Sequence, residues 1–304
     1  MAKNVFRRAA ALLAAAAMML AAFGAWAEEP ERLPEMRLHQ ICIGCADAYL
    51  FKTGDTVMLV DCGQDSGCAN ESANEPLLSY LDKCGVDHVD AHIITHWHPD
   101  HAVNVDMLSE RYGTDATVVY GPSPALPERF SPLPHGEYRQ MKDGDRVTVG
   151  PFELLCVGPA NADVDGEHNQ HSLNVLVTYG AHRFLMTGDW VDPSVRTRWE
   201  DEIRDVDVLS FPHHGLTPMC ISTRTMRTLS PRVILIPGNM SGETAVKVFV
   251  INECSVRFYP RFYSNNDGNI QVISDGVTMW TAYRVEGGAL PAGKQVGERD
   301  RMTR

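Results

Sequence analysis

The chain has 304 residues, of which 44% are hydrophobic, and it carries a formal net charge of −12. This length and composition fit one large globular domain and exclude a disordered chain. The acidic balance also disfavours nucleic acid as a partner, because such a surface repels polyanions.

The N-terminal residues have the pattern of a secretory signal. Arg7 and Arg8 precede an apolar run over 9–25, and the small-x-small sequence Ala25-Trp26-Ala27 ends it. We predict a signal peptide over 1–27 and export to the periplasm, the cell envelope or the medium. A retained membrane anchor is the alternative, but the run is short and alanine-rich for a stable span. Removal of this peptide, which contains three basic and no acidic residues, changes the charge from −12 to −15.

Strand and helix patterns alternate along the rest of the chain. The predicted strands are 48–52, 56–61, 89–95, 116–120, 146–149, 153–157, 173–178, 183–186, 206–211, 233–236, 270–273 and 277–280. The predicted helices are 75–83, 101–111, 193–204 and 243–252. Strands followed by helices in both halves indicate two mixed sheets with helices outside them, in one domain over 37–284. We expect a polar leader over 28–36 and a disordered tail over 285–304.

The sequence holds eight cysteines, and export would permit disulfides among them. Cys42 and Cys45 are close in sequence, as are Cys62 and Cys68. Either pair could bridge locally, but the spacing does not fix the connectivity.

The strongest chemical signal is Thr95-His96-Trp97-His98-Pro99-Asp100-His101, which directly follows an apolar strand. Alternate residues share a face at a strand end, so His96 and His98 point the same way. The turn at Pro99 then brings Asp100 and His101 to a neighbouring point. Imidazole and carboxylate ligands without a thiolate suit zinc, and less often manganese or iron. The spacing therefore predicts two adjacent metal sites.

Two further apolar strands end in residues that can bind metal. The strand over 183–186 leads to Gly188-Asp189, where a carboxylate can bridge two ions. The strand over 206–211 leads to Pro212-His213-His214-Gly215. Each ending would be an ordinary turn or loop if it stood alone. Together with the first motif, they indicate one shared metal centre.

The His-x-His-x-Asp-His motif resembles the signature of the metallo-β-lactamase superfamily, which implies a four-layer α/β (αββα) sandwich. The branch is similar to the hydrolase domain of ComEC-type DNA-uptake proteins and to phosphorylcholine esterases. The segments that also carry the resemblance are Ile43–Ala48, Leu59–Gly63, Ser172–Asp189, Phe211–Gly215, Asp267–Ile270 and Ser274–Gly276.

The resemblance implies a role for each residue of these motifs. His96 and His98 would hold one metal, Asp100 and His101 the other, and Asp189 would bridge them. His214 would complete the second metal's ligands and His213 would face the substrate, although the sequence separates these two histidines weakly. Asp100 and His213 are the predicted catalytic residues. Asp61 would support the metal loop through hydrogen bonds without binding metal.

The chain departs from the branch pattern at several positions. The branch's third ligand for the first metal has two candidates here, His168 and His171, and we hypothesise that His171 fills the role. Val103-Asn104 stands where the branch has Gly-Gly, and Leu216 stands where it has Ser. These changes leave the predicted metal ligands intact, but they weaken the inference that the substrate is the same as in the branch.

Together, the motifs and the resemblance predict an exported hydrolase that binds two Zn²⁺ ions per chain, with manganese or iron as alternatives. By the branch resemblance, a metal-bridging hydroxide would cleave a phosphodiester or a related ester. The expected partner is a small-molecule or cell-envelope ester, and no membrane span is expected after signal cleavage. The alternatives are a non-catalytic metal-binding or envelope module, and a hydrolase of lactones, β-lactams or thioesters.

Overall fold

A computed structural model of the chain describes residues 30–64, 74–161, 165–238, 240–254, 260–285 and 294–296. The predicted signal peptide lies outside these residues. Among the described residues, no helix is both long and apolar enough to cross a membrane. The elements below all lie in one unit of the chain, residues 33–304.

The strands of this unit form two sheets. The first sheet has the order β16-β15-β14-β1-β2-β3-β4-β5-β6 within the described residues. Its strands are β1 (Met36–Gln40), β2 (Ala48–Thr53), β3 (Thr56–Cys62), β4 (Ala91–Ile93), β5 (Val118–Gly121), β6 (Glu137–Gln140), β14 (Ile270–Ser274), β15 (Met279–Tyr283) and β16 (Lys294–Val296). Strands β3 to β6 pair in parallel, and the other neighbours pair antiparallel.

The second sheet has the order β13-β12-β11-β10-β9-β8-β7 in the described part of the chain. Its strands are β7 (Arg146–Val149), β8 (Phe152–Gly158), β9 (Asn174–Tyr179), β10 (His182–Met186), β11 (Val208–Ser210), β12 (Val233–Ile236) and β13 (Arg261–Ser264). Strands β10 to β13 are parallel. Both sheets therefore contain a parallel part whose strand ends can gather side chains at one edge.

Helices cover the outer faces of both sheets. They are α1 (Asn74–Lys83), α2 (Pro99–Ala102), α3 (Val105–Tyr112), α4 (Val195–Arg198), α5 (Glu200–Ile203), α6 (Thr223–Leu229) and α7 (Met240–Cys254). Three apolar clusters fill the spaces between layers. One lies between the sheets and includes Phe51, Phe152 and Phe184; one lies under α1 to α3, and one under α4 to α7. The architecture is the predicted αββα sandwich.

Most predicted elements match the observed ones to within a few residues, and the differences have local causes. The predicted helix over 101–111 is observed as two helices, α2 and α3. The helix is interrupted at Asn104, whose side-chain amide donates a hydrogen bond to the carbonyl oxygen of Gly63. Strand β1 begins in the predicted polar leader, and its first residue, Met36, is fully buried. Strand β16 lies in the predicted disordered tail, where buried Val296 joins the core between the sheets. The other strands without a prediction are β6 and β13, and the helix without one is α6.

Cys42, Cys62, Cys156 and Cys220 carry free thiols. Cys42 and Cys45 are therefore not bridged to each other. Cys62 is a buried thiol, and its suggested partner Cys68 lies outside the described residues.

Candidate metal centre

The ends of strands from both sheets meet at one edge of the sandwich. Strand β4 leads into the histidine motif and α2, and the parallel neighbours β10 and β11 lead to Asp189 and to the His213–Gly215 turn. Among the described residues, three groups of possible ligand atoms form there, each with its atoms within 4.8 Å of one another, and two of these groups share Asp189. The first consists of His96, His98 and Asp189, and the second of Asp100, His101, Asp189 and His214.

Asp189 belongs to both groups and lies between them. Its Oδ2 is 3.7 Å from His96 Nε2, and its Oδ1 is 3.0 Å from His101 Nε2 and 3.5 Å from His214 Nε2. The His96 and His101 rings lie 4.1 Å apart between centroids. Asp100 Oδ2 closes the second group at 3.0 Å from His214 Nε2. The placement of Asp189 is that of a carboxylate able to bridge two ions.

Buried atoms without partners test whether this cluster fits a metal. Among the described residues, His96 Nε2, His101 Nε2 and Asp189 Oδ1 are buried and have no hydrogen-bond partner. His101 Nε2 and Asp189 Oδ1 lie 3.0 Å apart, but their geometry is not that of a hydrogen bond. A buried polar atom without a partner costs about 1–3 kcal/mol. A cation bound between these atoms removes that cost, so the nitrogen and oxygen donors fit a zinc-type metal pair.

Asp61 holds the ring of His101 from behind. Its Oδ2 lies 2.8 Å from His101 Nδ1, which leaves Nε2 directed at Asp189. Asp61 also accepts hydrogen bonds of 2.7 Å from the backbone N–H and from the hydroxyl of Thr95. Its backbone is left-handed, with φ of 56°. Asp61 therefore contacts both His101 and the start of the histidine motif, and it also belongs to the third group of possible ligand atoms, with Asp47 and His101. Its supporting role without metal stays a prediction.

Asp47 orients the ring of His214 in the same way, although no role for Asp47 is predicted from the sequence. Its Oδ1 lies 2.9 Å from His214 Nδ1, across 167 residues of sequence. Its backbone N–H donates to Asp100 O at 2.9 Å, and its own carbonyl accepts from Gly63 N at 2.9 Å. A Cβ on Gly63 would lie 1.7 Å from Asp100 O, so only glycine permits this close approach. The available signal was an Asp directly before an apolar strand.

The first ligand group is held by neutral oxygens. His98 Nε2 lies 2.9 Å from Glu167 O, which leaves Nδ1 as the nitrogen for a metal. His96 Nδ1 lies 3.4 Å from the hydroxyls of both Thr95 and Ser172. Ser172, for which no role is predicted from the sequence, accepts a 3.0 Å hydrogen bond from the backbone N–H of Asp189.

The electrostatics differ across the cluster. Burial opposes charge on His101, but the carboxylates of Asp189 and Asp61 raise its pKa well above the ordinary value. His214 is also buried, yet two hydrogen-bonded carboxylates raise its pKa to about 9. Burial, and then the charge of neighbouring His101, lower the pKa of His96 well below its usual value. The second ligand group therefore lies in a negative field that favours a cation.

The remaining predicted residues lie at the border of the cluster. His213 Nε2 is 3.8 Å from Asp189 Oδ2, its Nδ1 is 3.4 Å from Cys220 Sγ, and its side chain is partly exposed. His214, rather than His213, belongs to the second ligand group. His171 belongs to neither group: its Nδ1 lies 2.8 Å from Asp165 Oδ1 on the adjacent loop. Its role as a ligand stays a prediction.

Comparisons with known proteins identify the family. Residues 46–238 match the metallo-β-lactamase superfamily. Because this match spans more than half of the sequence, the chain belongs to that superfamily, whose members are metal-dependent hydrolases. The predicted superfamily and enzyme class are thereby confirmed.

Solved structures are similar to this chain at low sequence identity. The metallo-β-lactamase fold protein YhfI from Bacillus subtilis is 18% identical, with a TM-score of 0.51 over 75% of this chain and 95% of that one. A variant of the β-hydroxylase CmlA is 15% identical, with a TM-score of 0.52 over 81% of this chain and 55% of that one. A diphosphatase from the PhnP family is 10% identical, with a TM-score of 0.47 over 76% and 95%.

Proposed function

We propose that the protein is an exported hydrolase that binds two zinc ions and cleaves a phosphodiester or a related ester. The observation that carries this proposal is Asp189, which is shared by two ligand groups and has a buried carboxylate oxygen without a hydrogen-bond partner. Each ligand group also contributes a buried imidazole nitrogen without a partner, on His96 and on His101. Zinc ions bound there would supply Lewis-acid polarisation of a substrate oxygen and lower the pKa of water.

The protein's own residues would orient the reactants around this pair. Asp61 and Asp47 fix the rings of His101 and His214, so the ligand nitrogens face Asp189 without rearrangement. His213 lies on the partly exposed side of the cluster, where it can donate a hydrogen bond to a substrate oxygen or to the leaving group.

A phosphodiester is favoured by the sequence motifs that resemble ComEC-type hydrolase domains and phosphorylcholine esterases. No lysine or arginine stands in the sequence motifs Thr95–His101, Gly188-Asp189 and Pro212–Gly215, and the chain is acidic overall. Both features favour a small or cell-envelope ester over a long polyanion. Asp189 also stands where many β-lactam hydrolases have Cys, which disfavours that substrate.

Hydrolysis of bis(p-nitrophenyl) phosphate by the purified chain, reconstituted with zinc or manganese, tests the proposal. We expect turnover by the parent protein and a loss of at least about 10³-fold in Asp189→Ala, because both metals lose a ligand. Asp115→Ala, which removes an exposed carboxylate at a turn, is the matched control and should retain activity. Equal activity in all three proteins would exclude the two-metal mechanism.

Metal analysis and a substrate panel separate the alternatives. About two zinc ions per chain with phosphodiester turnover supports the proposal. Turnover of only a lactone, a thioester or a β-lactam would assign that compound class as the substrate in place of a phosphodiester. Two metals without turnover of any panel member would favour a non-catalytic metal-binding module.

Export is proposed from the signal pattern of the first 27 residues. Expression of the full chain in a bacterial host, followed by fractionation and N-terminal sequencing, tests it. We expect the exported product to begin at Glu28. A cytoplasmic product that retains Met1 would overturn the proposal.

A further inference from the structure

Large apolar side chains are exposed beside the open side of the metal centre. In the described part of the chain, five large apolar residues are exposed: Val103, Leu216, Met219, Val248 and Tyr283. The first three follow the metal-binding motifs closely in sequence. We call Val103, Leu216 and Met219 the apolar rim.

The least buried side chains of the cluster mark where a substrate enters. His96, His101, His214 and Asp189 are at most 2% exposed, so they face the interior. The side chain of Asp100 is 27% exposed, and that of His213 is 30% exposed. His98 of the first ligand group is also half-buried, and a substrate reaches the second ligand group past Asp100 and His213.

Val103 lies beside Asp100. It continues the helical turn of α2, with φ of −59°, and its N–H donates to Pro99 O at 3.3 Å. Residues three apart on a helical turn are neighbours on one face, and helical side chains lean towards the N-terminus. Val103, which is 40% exposed, therefore borders the entry on the Asp100 side.

Leu216 and Met219 lie beside His213. The N–H of Leu216 donates to His213 O at 2.8 Å, which folds the chain back over that residue. Met219 precedes Cys220, whose Sγ is 3.4 Å from His213 Nδ1. Leu216 is 41% exposed and Met219 is 82% exposed. The two side chains therefore border the entry on the His213 side.

We propose that the apolar rim binds an apolar alkyl or aryl group attached to the substrate's phosphoester. This inference rests on the proposed function for the identity of the reacting group. Exposed apolar surface at such a position gains from contact with an apolar ligand, at up to about fourfold in affinity per buried methylene. Flexible Met219 can adapt to chains of different shape.

Binding of alkylphosphonates to the zinc-loaded full chain tests the rim without requiring turnover. Calorimetry with methyl- to octylphosphonate should show affinity that rises about two- to fourfold per methylene and then levels off. The double variant Leu216→Ser with Met219→Ser should flatten this dependence while retaining its metal content. Val248→Ser is the control, because Val248 is 54% exposed on the face of α7 opposite buried Val246 and Val250. It should keep the parent slope.

Three results would overturn the proposal: a parent affinity independent of chain length, an equal slope in the double variant, or no binding of octylphosphonate. Failure of the proposed hydrolysis is a separate outcome. If the protein binds long phosphonates through the apolar rim but cleaves no ester, the proposal for the rim stands and the proposed enzymatic function is wrong.

Discussion

The two halves of the metal centre are held in different ways. In the first half, His96 and His98 are oriented by hydroxyls and by one backbone carbonyl. In the second half, Asp61 and Asp47 each lie within 2.9 Å of the outer nitrogen of an imidazole. A carboxylate behind a ligand histidine fixes the ring and raises the basicity of the opposite nitrogen. A neutral oxygen fixes the ring without adding charge.

This difference indicates an order of affinity for the two metals. Carboxylates raise the pKa of His101 and of His214, the latter to about 9, whereas the pKa of His96 is lowered. The second half therefore favours positive charge more strongly than the first. We expect titration of zinc into the metal-free chain, against a chromophoric chelator, to show two steps with the second half filled first.

Removal of the Asp47 carboxylate should change the difference in zinc affinity between the two halves the most. We expect Asp47→Ala to weaken zinc binding in the tighter step by about 10- to 100-fold, because His214 loses the group that orients it. Asp47→Asn should restore part of the loss, since the amide oxygen can still accept from Nδ1 without the charge.

Asp90→Ala is the matched control for the Asp47 variants. The Asp90 carboxylate accepts a 2.8 Å bond from Val57 N at the start of a strand, away from the ligand groups. It should lower stability without changing either zinc step. Loss of the weaker step in Asp47→Ala, with the tighter step unchanged, would contradict the assignment of the halves.

The same comparison shows what local sequence can reveal. The histidine motif, Gly188-Asp189 and the His213–His214 pair each follow an apolar strand, so their chemistry is visible within a few residues of sequence. Asp47 acts on a histidine 167 residues away, and Ser172 on one 76 residues away. Such pairs form only when the two sheets pack, so the sequence does not show which histidine each residue contacts.

Prediction of the fold from local sequence is limited in the same way. Strand β1 was not predicted because it carries buried polar side chains. His39 Nδ1 lies 2.9 Å from the hydroxyl of Tyr80, and Gln40 Nε2 donates to Ile236 O at 3.2 Å. These distant partners satisfy groups that look solvent-facing in sequence. Strand β12, whose four residues are all apolar, was predicted with its observed bounds.

His171 decides whether the halves are also unequal in ligand number. Its Nδ1 is held by Asp165, which leaves Nε2 for a metal, and it directly precedes Ser172. If it completes the first half, His171→Ala should weaken the looser zinc step by about tenfold. His168→Ala is the control, because His168 lies on the same loop. Unchanged zinc steps in His171→Ala would remove this residue from the ligand set, and a loss confined to His168→Ala would transfer the role.

Ser172 should produce the smallest effect, and its direction sharpens the contrast between the halves. Its hydroxyl donates to Asn169 O at 2.7 Å and accepts from Asp189 N at 3.0 Å. Ser172→Ala should lower the free energy of unfolding by about 1–2 kcal/mol and weaken the looser zinc step a few-fold. Ser109, whose buried hydroxyl donates to His135 O at 2.8 Å, is the control: Ser109→Ala should cost similar stability and leave zinc binding unchanged. An effect of Ser172→Ala on the tighter step would mean that neutral oxygens orient both halves through Asp189, and the contrast between charged and neutral support would fail.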